Sequence, residues 1–313
     1  MNAPAGPGGA GGATADERIY RLALLRFAVA ATALVAVYQP VLYHMTLHWR
    51  NVPDYNHGFL VAPLAAWFAY ERRAKLRRVA LEGSWLGLLP LAAGAASLAI
   101  GRLGVELMSM RVGFVLGLIG LVLLLLGRPA VRILAFPLGF LFLMVPLPES
   151  LLNMIAFPLQ LIAANAAVSS LHWIGIPALL EGNIIHLAQT ELFVEQACSG
   201  IRSLMSLITL SILFAHFFQR RALERAVLVA STIPIAIAVN ALRVSLTGIL
   251  AHAYGEEVAT GAIHDLEGVL TFGVAFGLLM LEARLLSGVT GLRRTRGGDA
   301  PTGGPKFAEE RPA

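Results

Sequence analysis

Glu191-Leu192-Phe193-Val194-Glu195-Gln196-Ala197-Cys198-Ser199-Gly200-Ile201-Arg202-Ser203 contains the chain's single cysteine and marks a change in its patterning. Leu192, Val194 and Ala197 fall against Glu191, Phe193 and Glu195, which reads as a half-exposed strand. From Ile201 to Phe218 the chain is almost uncharged and long enough to enter a bilayer as a helix. Ser199 and Gly200 suit a helix start. The Cys198 thiol is therefore expected at or just before a helix N-terminus, where unpaired N–H groups and the helix dipole favour a thiolate. Arg202, one turn on, adds a fixed positive charge. A lone cysteine is ordinarily a small buried hydrophobe. Here the flanking charges and the strand-to-helix junction point to chemistry instead.

Composition sets the class. Of 313 residues, 57% are hydrophobic and 14% charged, with a mean hydropathy of +0.71. Soluble domains carry about a quarter charged residues, so an integral membrane protein is expected. One cysteine excludes an internal disulfide and any multi-cysteine metal site. The net charge of +5 does not point to nucleic acid, because the basic residues sit in short loops between apolar segments and report orientation.

The fold class expected is an all-α polytopic membrane protein of about eight transmembrane helices, with a small extracytoplasmic strand or hairpin element before Cys198. Residues 1–16, rich in Gly, Ala and Pro, are expected as a disordered tail, 17–290 as one transmembrane domain, and 291–313 as a second disordered tail. The spans expected are roughly 22–45, 59–70, 85–100, 107–126, 133–145, 201–218, 226–250 and 266–286. Residues 151–175 are apolar enough to cross, but Asn153, Gln160, Asn165, Ser169, Ser170 and His172 interrupt them. Treating that segment as interfacial or re-entrant keeps Arg220, Arg221 and Arg225 inside, as the positive-inside rule prefers. Arg50, Arg102, Arg111, Arg202 and Arg243 then fall toward the outer side, and the rest of the 24 Lys and Arg toward the cytoplasm. Residues 176–197 read as short outer strands around a Glu181-Gly182-Asn183 turn.

This topology brings three side chains to one depth. Cys198 opens its helix on the outer side. Arg243 lies about 26 Å up a helix that enters near Ala226, close to the outer edge of a ~30 Å core. His264 stands at the outer start of the last span. An arginine inside a span costs at least ~2.5 kcal/mol and so usually faces a partner or a cavity.

The blocks Glu195-Gln196-Ala197-Cys198-Ser199-Gly200-Ile201-Arg202-Ser203 and Asn240-Ala241-Leu242-Arg243-Val244, with the later His264, resemble the signature blocks of the exosortase and archaeosortase family. Asp54-Tyr55-Asn56-His57-Gly58, Val145-Pro146-Leu147-Pro148 and Glu181-Gly182-Asn183 are similar to that pattern too, with Asn56 where the pattern has Ser. The resemblance spans roughly 50–275. It implies a membrane-embedded cysteine protease or transpeptidase of the cytoplasmic (inner) membrane, multi-pass, with both termini cytoplasmic and the active site facing outward. Its partners would be exported, membrane-anchored proteins with a C-terminal sorting signal: a Pro-Glu-Pro-type motif, a transmembrane helix and a basic tail. A polysaccharide or lipid is the acceptor to consider, and no cofactor is implied. The resemblance makes Cys198 the nucleophile and Arg243 and His264 the other catalytic residues. Arg202, Glu195, Asn240, His57 and Tyr55 follow as substrate-binding or supporting residues.

The residue types fit that chemistry independently. A Cys198 thiolate attacks a carbonyl to give a thioester, and His264 moves the protons. Arg243 either stabilises the oxyanion or pairs with the thiolate, with Arg202 as the alternative for each role. His57, His186, His264, Asp265 and Glu267 lack the His-Glu-x-x-His spacing of a zinc site, so no metal is expected. Two competing readings stand: a membrane acyltransferase using Cys198, and a non-enzymatic transporter or scaffold. The latter would favour polar residues at the bilayer midplane.

Overall fold

The computed structural model describes residues 10–104, 106–188, 190–193, 200–219, 221–255 and 262–297, with backbone alone at 10–16, 200–203, 262–265 and 288–297. The chain divides into two compact units, Met1–Ala156 and Phe157–Ala313.

In the first unit α1 (Ala10–Val37) stops at Tyr38, and α2 (Gln39–Asn51) restarts with Pro40 in its first turn. A proline at that position lacks an N–H that the first turn does not use, but it cannot continue the preceding helix. The expected single span over 22–45 is therefore two helices. Tyr38 fixes the break by donating its hydroxyl to the Gly94 carbonyl at 2.8 Å. α3 (Gly58–Glu71) follows, then α4 (Leu88–Gly104). α5 (Leu107–Phe140) is interrupted at Gly127, whose φ of 86° and ψ of 178° are open to glycine. That break falls where two separate spans, 107–126 and 133–145, were expected. Leu76, Val122, Leu126, Ala130, Leu134 and Leu138 form the core here, with Tyr20, Leu24 and Phe27 of α1 against them.

α6 (Glu149–Trp173) is one unbroken helix. Its polar residues do not interrupt it, because Asn165 donates to the Leu161 carbonyl, Ser169 to that of Asn165 and Ser170 to that of Ala166. Each bonds back one turn, so a polar side chain is satisfied without water. At 25 residues and a mean hydropathy of 1.7, α6 is long and apolar enough to cross a membrane.

Among the described residues six helices meet that requirement by length and composition. The tally differs from eight for concrete reasons. α3, at 14 residues, is about 21 Å long against a ~30 Å core. The two halves of α5 count once in that tally, within Leu107–Met144, although the helix is broken at Gly127. Leu204–Phe218 is a shorter apolar helix, and α6 is added.

In the second unit the rest of α6 is followed by a three-stranded antiparallel meander, β1 (Ala178–Glu181), β2 (Ile184–Leu187) and β3 (Glu191–Phe193). Glu181 pairs with Ile184, which leaves Gly182-Asn183 as a two-residue turn with Gly182 at φ 60°. Ile185, Leu187 and Leu192 on one face pack with Ala164, Ala167 and Leu171 of α6 and with Val244 and Ala251 of the eighth helix. Three helices follow: α7 (Gly200–Phe218), α8 (Ala222–Tyr254) and α9 (Ala262–Gly297). α9 continues past 290 and α1 begins before 16, so both helices extend into the segments expected as tails. α7, α8 and α9 pack antiparallel in layers, with Phe214, Leu228, Leu279 and Ala283 in one and Leu207, Val239 and Ala275 in the next. Beside the first layer Ser231 donates to Glu282 Oε2 at 2.6 Å, joining α8 to α9.

Candidate functional site

Arg243 sits one turn of α8 past the Leu207–Val239–Ala275 layer and is only 8% exposed. At 1.5 Å per residue its Cα lies about 6 Å beyond that layer, while Gly200, Thr247 and Glu267 lie about 10–12 Å beyond it. The start of α7, the C-terminal part of α8 and the first turns of α9 are thus at similar depth along the bundle.

The guanidinium of Arg243 rests against α9 at Gly268. A Cβ added there would come 3.3 Å from Nη2 and 3.6 Å from Cζ, so the guanidinium lies close against the helix backbone where no side chain intervenes. Beside it, Thr247 Oγ1 stands 3.0 Å from the Arg243 carbonyl and 2.8 Å from Glu267 Oε2. Thr271 donates to the Glu267 carbonyl at 2.7 Å. Thr247 and Glu267 are 1% and 4% exposed. Val244, next to Arg243, belongs to the cluster that also holds Leu192 of β3. The sheet that leads toward the cysteine block is thereby packed on the α8 turn that carries the arginine.

Cys198 and Glu195 lie outside the described residues, between Phe193, which ends β3, and Gly200, which opens α7. Arg202 and His264 are described as backbone alone, in the first turns of α7 and α9. His264 precedes Gly268 by four residues, which puts the two on one helix face. Asn240, three residues before Arg243, is half-buried on α8.

Tyr55 and His57 belong to the first unit and hold backbone. Tyr55 donates to the Leu147 carbonyl (3.3 Å) and accepts from the Leu147 N–H (3.1 Å). His57 Nε2 donates to the Leu143 carbonyl at 3.2 Å, and Trp49 Nε1 to that of Met144 at 2.9 Å. Burial holds the His57 imidazole below its ordinary range, partly offset by the carbonyls of Leu143 and Asp54. Burial likewise raises the Tyr55 hydroxyl, against the opposing effect of the Leu147 backbone. Both groups are therefore neutral near pH 7.

His186 lies on the sheet between Glu181 (3.6 Å) and Glu191 (3.2 Å). Among the described residues no group of three or more His, Cys, Asp or Glu is placed to hold a metal. Thr247 and Gly268 were not singled out by the sequence, and Glu267 was considered only as a metal ligand. A hydroxyl one turn beyond the intramembrane arginine, and a glycine one turn beyond His264, were the available signals.

A helical protein with apolar helices of spanning length and a guanidinium buried between two of them is an integral membrane protein with a polar interhelical joint. The chain matches the transmembrane exosortase family over residues 49–281 and belongs to that family. Membership implies a membrane-embedded transpeptidase role in protein sorting, acting on secreted proteins. No curated protein and no solved structure matches the chain.

Proposed function

We propose that this exosortase is a cysteine transpeptidase of the cytoplasmic membrane, cleaving C-terminal sorting signals of exported, membrane-anchored proteins on the outer side. The Cys198 thiolate attacks the scissile carbonyl carbon, and the oxyanion that forms is stabilised by the Arg243 guanidinium. The C–N bond then breaks, the leaving amine takes its proton from His264, and a thioester remains. An acceptor nucleophile, deprotonated by His264, attacks the thioester and releases the thiolate. Arg202 and Glu195 flank Cys198 in the chain, Asn240 precedes Arg243 by three residues, and all three are assigned to substrate positioning. Tyr55 and His57 support the first unit. Both termini are assigned to the cytoplasm.

The observation that carries the reading is Arg243. It is a buried cation on an apolar helix, seated on Gly268 one turn from His264, in a bundle whose first helix starts two residues after the only cysteine. The test is Cys198→Ala, produced in cells with an exported reporter ending in a Pro-Glu-Pro-type motif, a transmembrane helix and a basic tail. Processing should be abolished, with the uncleaved reporter accumulating in the membrane. Unchanged processing would remove the enzyme assignment, and with it the roles given to Arg243 and His264.

A further inference from the structure

We infer that Glu267 is a positioning residue for Arg243, acting through the hydroxyl of Thr247. The inference rests on the catalytic role proposed for Arg243. Gly268 meets the arginine directly, and Glu267 reaches the α8 turn that bears it through Thr247. The backbone of Gly268 seats the guanidinium, with 3.3 Å between a Cβ position and Nη2. The carboxylate of Glu267 binds Thr247 Oγ1 at 2.8 Å, and that same oxygen stands 3.0 Å from the Arg243 carbonyl. One hydroxyl thus ties the α8 turn that bears Arg243 to the α9 residue next to its seat. Thr271 holds the Glu267 carbonyl at 2.7 Å, which steadies that turn of α9 from below.

A packing role alone accounts poorly for this chemistry. Burying a carboxylate at 4% exposure is unfavourable unless it is hydrogen-bonded or paired, and two apolar side chains would join α8 to α9 without that cost. What a carboxylate and a hydroxyl add is direction. The bond fixes the rotation of α8 about its axis at the turn from which the arginine projects. A guanidinium that must meet a developing charge loses effect quickly when misplaced by about 1 Å. The residue and its partner lie 20 positions apart in the chain.

The test uses the full-length protein in proteoliposomes, with a synthetic sorting-signal peptide as substrate and folded protein measured by thermal unfolding. Thr247→Val keeps the shape and removes the hydroxyl. It should lower kcat at least ten-fold with KM changed less than two-fold and the unfolding temperature retained. Thr247→Ser restores the hydroxyl and should recover most of kcat. Glu267→Gln keeps an acceptor for Thr247 and should fall between the two. In an Arg243→Lys background the Thr247→Val loss should shrink, because the group being positioned is gone. Loss of folded Thr247→Val protein, an unchanged kcat, or a loss that Thr247→Ser does not recover would each assign the pair to packing and overturn the inference. Cys198→Ala run alongside separates the two ideas. If it still turns over peptide, the proposed function has failed. If it is inactive while Thr247→Val is normal, only the positioning role has failed.

Discussion

Polar side chains are buried in both units, but they are used differently. In the first unit Trp49, Tyr55 and His57 all bond to the main chain of residues 143–147. A segment that leaves a helix and enters Val145-Pro146-Leu147-Pro148 has carbonyls and N–H groups with no ladder to join, and these side chains supply their partners. In the second unit Arg243, Thr247 and Glu267 join two helices whose main chains already satisfy themselves. The Thr247–Glu267 bond there runs from side chain to side chain. The contrast separates side chains that bond to the main chain of a loop from side chains that join two helices.

The largest effect expected is on the first side. Trp49 is 5% exposed, packs edge-on to Phe59 at 5.3 Å and leaves room only for glycine at 58. Trp49→Ala should cost about 3–5 kcal/mol of stability, read as a lowered Tm in detergent. An unchanged Tm would mean the aromatic grip does not hold the fold. On the other side, Arg243→Ala should lower processing about 100- to 1,000-fold, as loss of an oxyanion donor does, with folded protein still recovered. A variant that is active, or one that never folds, would erase the distinction between the units.

Much of this was legible from residue types. The turn at Gly182, the break beside Arg128 and the burial of Arg243 follow from glycine, from loop charge and from the cost of a cation in a span. Other parts were not. Hydropathy counts Asn165, Ser169 and Ser170 as polar, yet each is satisfied by its own helix, so α6 is continuous where those residues were expected to interrupt it. Tyr38 and Pro40 end one helix and begin another inside a single apolar run. Glu267 was weighed only as a metal ligand because its partner, Thr247, comes from another helix, and no periodicity within one segment encodes that pairing.

A smaller effect concerns pH. His57 binds its proton less readily in the folded protein than in the unfolded chain, because of its burial. Its contribution to stability is complete above the unfolded value of about 6.5 and is lost as pH falls from there through its lower folded value. His48 is shifted the same way, by burial and by Arg111. Unfolding temperatures should therefore fall between pH 7.5 and 5, and less steeply in His57→Gln. Equal slopes would move the acid sensitivity elsewhere.

The smallest is at Glu106, which caps α5 by accepting from Met108 N–H at 2.8 Å and Ser109 N–H at 2.6 Å. Hydrogen bonding from Ser109 holds its carboxyl below the usual range. Glu106→Ala should cost about 1 kcal/mol at neutral pH. The difference should vanish as pH falls through the folded value, since the cap is lost with the charge. A difference that persists in acid would assign it to packing.

The two hydroxyl–carboxylate joints between α8 and α9 have a mechanical consequence. Ser231 and Thr247 are about 24 Å apart along one helix, and Glu282 and Glu267 about 23 Å along the other. Two rods riveted at nearly equal intervals cannot shear past each other without breaking both rivets, and a one-residue slip would misalign each by about 1.5 Å. This pair therefore acts as a fixed rail across most of the hydrocarbon thickness. Any movement that admitted the membrane-anchored substrate proposed above would have to be made by other elements sliding or swinging against it.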